Sequence, residues 1–154
     1  MASKTVTTAA FSVPQALNVL QADTTIFYQK LRSYHWNVTG QQFFMLHELF
    51  EKLYREVADL NDALAERAIA VGAAPVRTLE EQLSIARLKE DRTTPESSKM
   101  VRNILVDLEL LTKHLRGLAR DAEREGDIGT TNLVNDAADR NEKTIWMLRA
   151  CLEA

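Results

Sequence analysis

FFMLHELFEKLYREVADLNDALAERAIAV, residues 43–71, carries the periodicity on which the fold turns. Phe43, Leu46, Leu49, Phe50, Leu53, Val57, Leu60, Leu64 and Ala68 recur every three to four positions, the spacing of a helix that buries one stripe. Gly72 ends the run and Pro75 lies beyond it, as at a helix C-terminus. The same segment carries a polar pattern. His47/Glu51 and Asp62/Glu66 are two i,i+4 pairs, and Glu51 and Asp62 are separated by eleven residues, almost a whole number of turns. Both pairs therefore share a face but lie about 16 Å apart along the axis. One metal ion cannot touch both. A second copy of the helix, antiparallel across a two-fold axis, would set Asp62 and Glu66 of one chain opposite His47 and Glu51 of the other, giving two identical inter-subunit sites.

Working outward, the same period appears upstream at Leu17, Leu20, Thr24, Phe27, Leu31 and Tyr34, from a start near Pro14 to a stop at Gly40. Downstream, Thr94 and Pro95 have the character of an N-cap and first helical residue for a helix through Ile104, Leu108, Leu111, Leu115 and Leu118, closing before Gly126. A last helix runs from about Thr130 through Leu133, Val134, Ala137, Ile145 and Leu148. The connection between the second and third long helices is too long for a turn. Thr78 and Glu81 have capping-box spacing and predict a short helix over residues 79–88 within it. Trp146 and Phe27 read as core. The expectation is all-α: a ferritin-like four-helix bundle over residues 13–154 with a short extra helix in the crossover, preceded by a flexible arm, residues 1–12.

Composition narrows the class. At 154 residues the chain has single-domain length, and 45% hydrophobic with 27% charged residues is ordinary for a globular protein. No apolar run approaches membrane length, and the N-terminus has no apolar core of signal-peptide length, which predicts a cytoplasmic location and no membrane. A lone Cys151 makes no intrachain disulfide and reads as a packing residue. The formal charge of −3 gives no general bias towards nucleic acid. Before Pro14 the only basic residue is Lys4, and the C-terminus has no basic tail, so little DNA retention is expected at physiological salt.

An intra-bundle di-iron centre uses Glu-x-x-His pairs, and this chain has none: Arg32, Phe44 and Leu111 stand three before His35, His47 and His114. His35 and His47 instead flank the turn at Gly40, which brings two helix ends together. Imidazole plus carboxylate suits iron or, less specifically, manganese or zinc. The competing reading is of surface histidines and solvated acids. His114 has Leu110 and Leu118 at i±4 and reads as a structural histidine.

The run His35-Trp36-Asn37-Val38-Thr39-Gly40, with Phe43, Leu46-His47-Glu48, Asp62 and Ala65-Glu66-Arg67, resembles the ferroxidase signature of the Dps family of mini-ferritins (DNA-binding proteins from starved cells). Gly72, Pro75, Thr78 and Leu79 resemble its next segment, and Glu125-Gly126-Asp127 through Trp146 its last. The resemblance implies that His35 and His47 from one subunit, with Asp62 and Glu66 from its two-fold mate, bind at most two irons, Glu66 bridging. Glu51 stands where the family more often has aspartate, and its longer side chain would either reach the second iron or swing away. Trp36 would quench one-electron oxidants beside the iron or, equally, pack at the dimer contact. Asp127 and Glu123 fall at the joint that in the family lines iron-admitting three-fold pores, with solvated charge as the alternative. The implied function is Fe(II) oxidation, preferentially by hydrogen peroxide, with storage of the ferric product in a hollow dodecamer. The alternatives are a nucleoid-associated DNA-compacting protein with a vestigial or zinc-occupied site, and a helical oligomerisation module without redox chemistry.

Overall fold

The computed structural model describes residues 11–153 and is all-helical over them. Its elements are α1 (Val13–Asn37), α2 (Phe43–Ala70), α3 (Leu79–Ile85), α4 (Ser97–Arg124) and α5 (Ile128–Leu152). α1 pairs with α2 and α4 with α5 as hairpins; α1 packs on α4, and α2 meets α5. This is a ferritin-like four-helix bundle with α3 as the extra helix of the long crossover. No helix among the described residues is long and apolar enough to cross a membrane. Most of the N-terminal arm, with Lys4, lies outside the described residues.

The stripes predicted from spacing form the core: Leu17, Phe27, Leu31, Leu46, Phe50, Leu64, Ile104 and Leu115 are all fully buried. Capping boxes open two helices. Ser12 and Gln15 bond reciprocally at α1, and Thr78 and Glu81 do so at α3. Gly40, Gly72 and Gly126 take positive φ at the three helix ends, a conformation costly for residues with a Cβ.

Four expectations are corrected. α3 stops at Ile85, short of residue 88, because the backbone N–H groups of Arg87 and Leu88 leave the helical path to donate to Asp23, at 2.6 and 3.1 Å. α4 starts at Ser97 with Glu96 as N-cap, two residues later than the Thr94–Pro95 reading. Asp91 holds the preceding loop by accepting from Thr93 N at 2.9 Å, Thr93 Oγ1 at 2.6 Å and Tyr34 Oη at 2.5 Å. α5 begins at Ile128 rather than near Thr130, because the carboxylate of Asp127 caps it by accepting from Thr130 N at 3.0 Å. Trp146, read as core, is 66% exposed, whereas Phe27 is buried as expected. Ile145 and Leu148 take the inward face of α5, and the step of about 100° from Ile145 to the next residue turns the indole outward.

Asp23 is fully buried on α1 and also accepts from Arg87 Nε at 2.9 Å and Nη2 at 2.7 Å. It thereby ties the crossover to α1. A second tie is Lys30 to Asp107, 2.5 Å across the α1–α4 contact. Burial raises the Asp107 pKa despite the adjacent ammonium.

Candidate metal centre

The hairpin turn at Gly40 places the end of α1 against the start of α2, and His35 and His47 meet there. Their rings stack with centroids 3.7 Å apart and planes 19° from parallel. His35 Nδ1 donates to the carbonyl of His47 at 2.8 Å, and His47 Nδ1 donates to the carbonyl of His35 at 2.8 Å. A carbonyl oxygen can only accept, so both Nδ1 atoms carry a proton, and in the neutral form of each ring Nε2 keeps the lone pair. The His35 carbonyl belongs to the last turn of α1, where the helix has no further N–H to offer. One reciprocal pair of bonds thus caps a helix end, orients two imidazoles and selects the tautomer in which Nε2 binds metal. Around them, Phe43 stacks on His47 with centroids at 5.1 Å, and Tyr54 meets His35 edge-on at 5.4 Å. His35 is buried and His47 half-buried.

Glu51 lies one turn beyond His47 and is ion-paired with Arg55, its own i+4 neighbour, on a partly exposed face. Asp62 and Glu66 are exposed about three and about four turns further along α2. Among the described residues, no three His, Cys, Asp or Glu side chains come close enough together to hold a metal ion. One chain therefore unites the two imidazoles and leaves the acidic pair pointing to solvent. Trp36 is 56% exposed, with the guanidinium of Arg32 4.7 Å from its ring centroid and 5.2 Å from that of Tyr28. A cation over an indole face is an electrostatic attraction that holds Trp36 in place.

The α4–α5 joint separates the two remaining acids. Glu123 is exposed on α4. Asp127 is paired with Arg67, whose Nε also donates to Thr130 Oγ1 at 2.9 Å. Burial works against ionisation of Asp127, but bonds from the Thr130 hydroxyl and N–H and from Arg67 outweigh it, leaving its pKa below the ordinary value. Asp127 is thus committed to the α5 start and to the turn of α2 that carries Glu66. A Cβ at Gly129 would lie 2.6 Å from Arg67 Nη1, so the guanidinium occupies space that only glycine leaves open.

Several of these partners escaped sequence reasoning. Arg55 and Arg32 stand at i+4 and i−4 from Glu51 and Trp36, a legible spacing. Tyr54, Arg67 and Gly129 act across elements distant in the chain and carried no local signal.

Comparison with known proteins agrees with this fold. Residues 14–154 match the ferritin family, described as a ferritin-like domain. The chain is 39% identical over 139 residues to a DNA protection during starvation protein of Helicobacter pylori, covering 90% of this chain and 96% of that protein. It is likewise 39% identical to DNA protection during starvation protein 2 of Bacillus anthracis, covering 91% and 96%. The fold superposes on a Dps protein from Vibrio cholerae, titled a member of a superfamily of ferritin-like diiron-carboxylate proteins, with TM-score 0.88 and 34% identity, covering 91% and 88% of the two chains. Dps from Staphylococcus aureus gives TM-score 0.89 at 35% identity, covering 91% and 94%. With a bundle of this order, an extra crossover helix and paired imidazoles at the first hairpin, the chain belongs to the ferritin-like family and, within it, to the Dps proteins.

Proposed function

We propose that the protein oxidises Fe(II), preferentially with hydrogen peroxide, at sites shared between two-fold-related chains and stores the ferric product inside a dodecameric cage. The observation that carries this reading is the division of ligands. His35 and His47 present bare Nε2 atoms at one end of α2, while Asp62 and Glu66 stand exposed on the same face of that helix, beginning about 22 Å from His47 along its axis. Two such helices laid antiparallel complete two sites. Iron is the substrate: Glu66 bridges two ions, Glu51 joins the set by breaking its pair with Arg55, and carboxylates favour Fe(III) over Fe(II). Peroxide takes one electron from each of two Fe(II) ions and two protons, and leaves as two waters, so no hydroxyl radical is released. Trp36 intercepts one-electron oxidants that escape. Asp127 and Glu123 lie at the joint assigned to iron entry, where Asp127 admits a cation once Arg67 lets go. In the cytoplasm, removing Fe(II) and peroxide together protects DNA without retaining it, which accords with the name borne by the relatives.

The test is stopped-flow absorbance after mixing Fe(II) and peroxide with the purified protein, alongside its mass in solution. Rapid ferric formation, slowed by at least about a hundredfold in His35→Ala/His47→Ala, supports the proposal. A monomeric mass, or an unchanged rate in that variant, refutes it.

A further inference from the structure

Gly117 lies well inside the 28-residue α4, where glycine weakens a helix relative to alanine. Unlike Gly40, Gly72 and Gly126, it does not have positive φ. A Cβ there would meet nothing nearer than Arg120 Nη2, at 4.0 Å. Neither backbone conformation nor a packed neighbour among the described residues requires glycine at this position. The missing side chain instead leaves part of a cavity of about 300 Å³ open between α1 and α4, with Ala16, Leu20 and Leu118 as apolar walls.

The polar groups of this cavity are unevenly matched. Arg87 is committed to Asp23, and Asp121 to Arg124 at 2.9 Å. Lys113 and Arg120 also line the cavity, and neither has a carboxylate partner among the described residues. His114 Nδ1 is buried and has no hydrogen-bond partner among the described residues, a costly state for an imidazole nitrogen. Burial first, then the charges of Arg87 and Lys113, depress the His114 pKa against the opposing pull of Asp23, so the ring is neutral at physiological pH.

We propose that this cavity is a binding site for a small carboxylate with an apolar body, whose head pairs with Lys113 and Arg120 beside the His114 ring while its body lies over Gly117. The volume is at the lower end of the range for small-molecule sites, so it suits a ligand of about one ring. Apolar walls add binding energy that a bare inorganic anion cannot collect. Because an anion beside His114 favours the charged imidazole, binding draws in a proton.

Titration calorimetry of the intact protein with benzoate, in two buffers of different ionisation enthalpy, tests the site. Saturable binding with proton uptake is expected, and His114→Phe should abolish the uptake. Gly117→Leu fills the floor and should weaken binding by more than about tenfold with an equal or higher melting temperature, and Lys113→Ala/Arg120→Ala should weaken it by at least as much. The absence of saturable heat overturns the proposal, as does unchanged affinity in Gly117→Leu. Inorganic phosphate binding as tightly as benzoate would remove the role of the apolar walls. Displacement of benzoate by duplex DNA would reassign the cations to a nucleic-acid backbone. Either result refutes a small-carboxylate site.

Discussion

If the imidazoles and carboxylates of each site come from different chains, two inactive variants should rescue each other in a defined proportion. The first, His35→Ala/His47→Ala, keeps its acidic pair; the second, Asp62→Ala/Glu66→Ala, keeps its histidines. In a mixed dimer, one site combines the altered residues of both chains and is lost, while the other combines the intact residues of both and is whole. Random reassembly of equal amounts makes half of the dimers mixed, each with one good site of two, so about a quarter of the wild-type rate should return. The separation of about 22 Å between His47 and Asp62 along a rigid helix excludes completion of a site within one chain. The assay is stopped-flow ferric absorbance on subunits dissociated, mixed and reassembled, with the unmixed variants and an undissociated mixture as controls. Correctly sized mixed assemblies that stay as inactive as their parents would refute the shared-site geometry. Recovery well above a quarter would show that assembly is not random or that a site needs fewer ligands than proposed.

Other consequences concern the scaffold. Asp23→Ala removes the acceptor of four bonds from Arg87 and Leu88, two of them from backbone N–H groups, and should cost about 3 kcal/mol in denaturant titration. Gly129→Ala drives Arg67 off Asp127 and Thr130, a loss that partial exposure limits and that improved helix propensity partly offsets. The informative quantity is therefore its coupling to Arg67→Ala. A double-mutant cycle should give about 1 kcal/mol, with Gly129→Ala stabilising in the Arg67→Ala background, and additivity would refute the clash. His114 has a depressed pKa when folded, so its contribution to stability is complete above the unfolded value near 6.5 and is lost as pH falls towards the folded one. Apparent stability measured at pH 7.5 and 5 should fall less in His114→Gln than in the wild type, and equal falls would contradict the burial argument.

The sequence alone determined most of the fold, because helices report themselves locally. A stripe recurring at three to four residues needs only its own neighbours to be recognised, and so do the Thr78/Glu81 capping box and the terminal glycines. The grouping of His47, Glu51, Asp62 and Glu66 on one face was legible for the same reason, since helix geometry converts spacing into direction. Element ends were misread where a distant side chain intervened: Asp23 draws the chain out of α3, and Asp91 delays α4. Trp146 was misread because an aromatic in an apolar context has no local mark of which way it faces. Tertiary structure alone decided the reciprocal bonds that choose the imidazole tautomers, the capture of Asp127 by Arg67, and the space at Gly117 and Gly129. Each of these depends on atoms brought together from separate helices, and their positions are set by packing rather than by sequence neighbours.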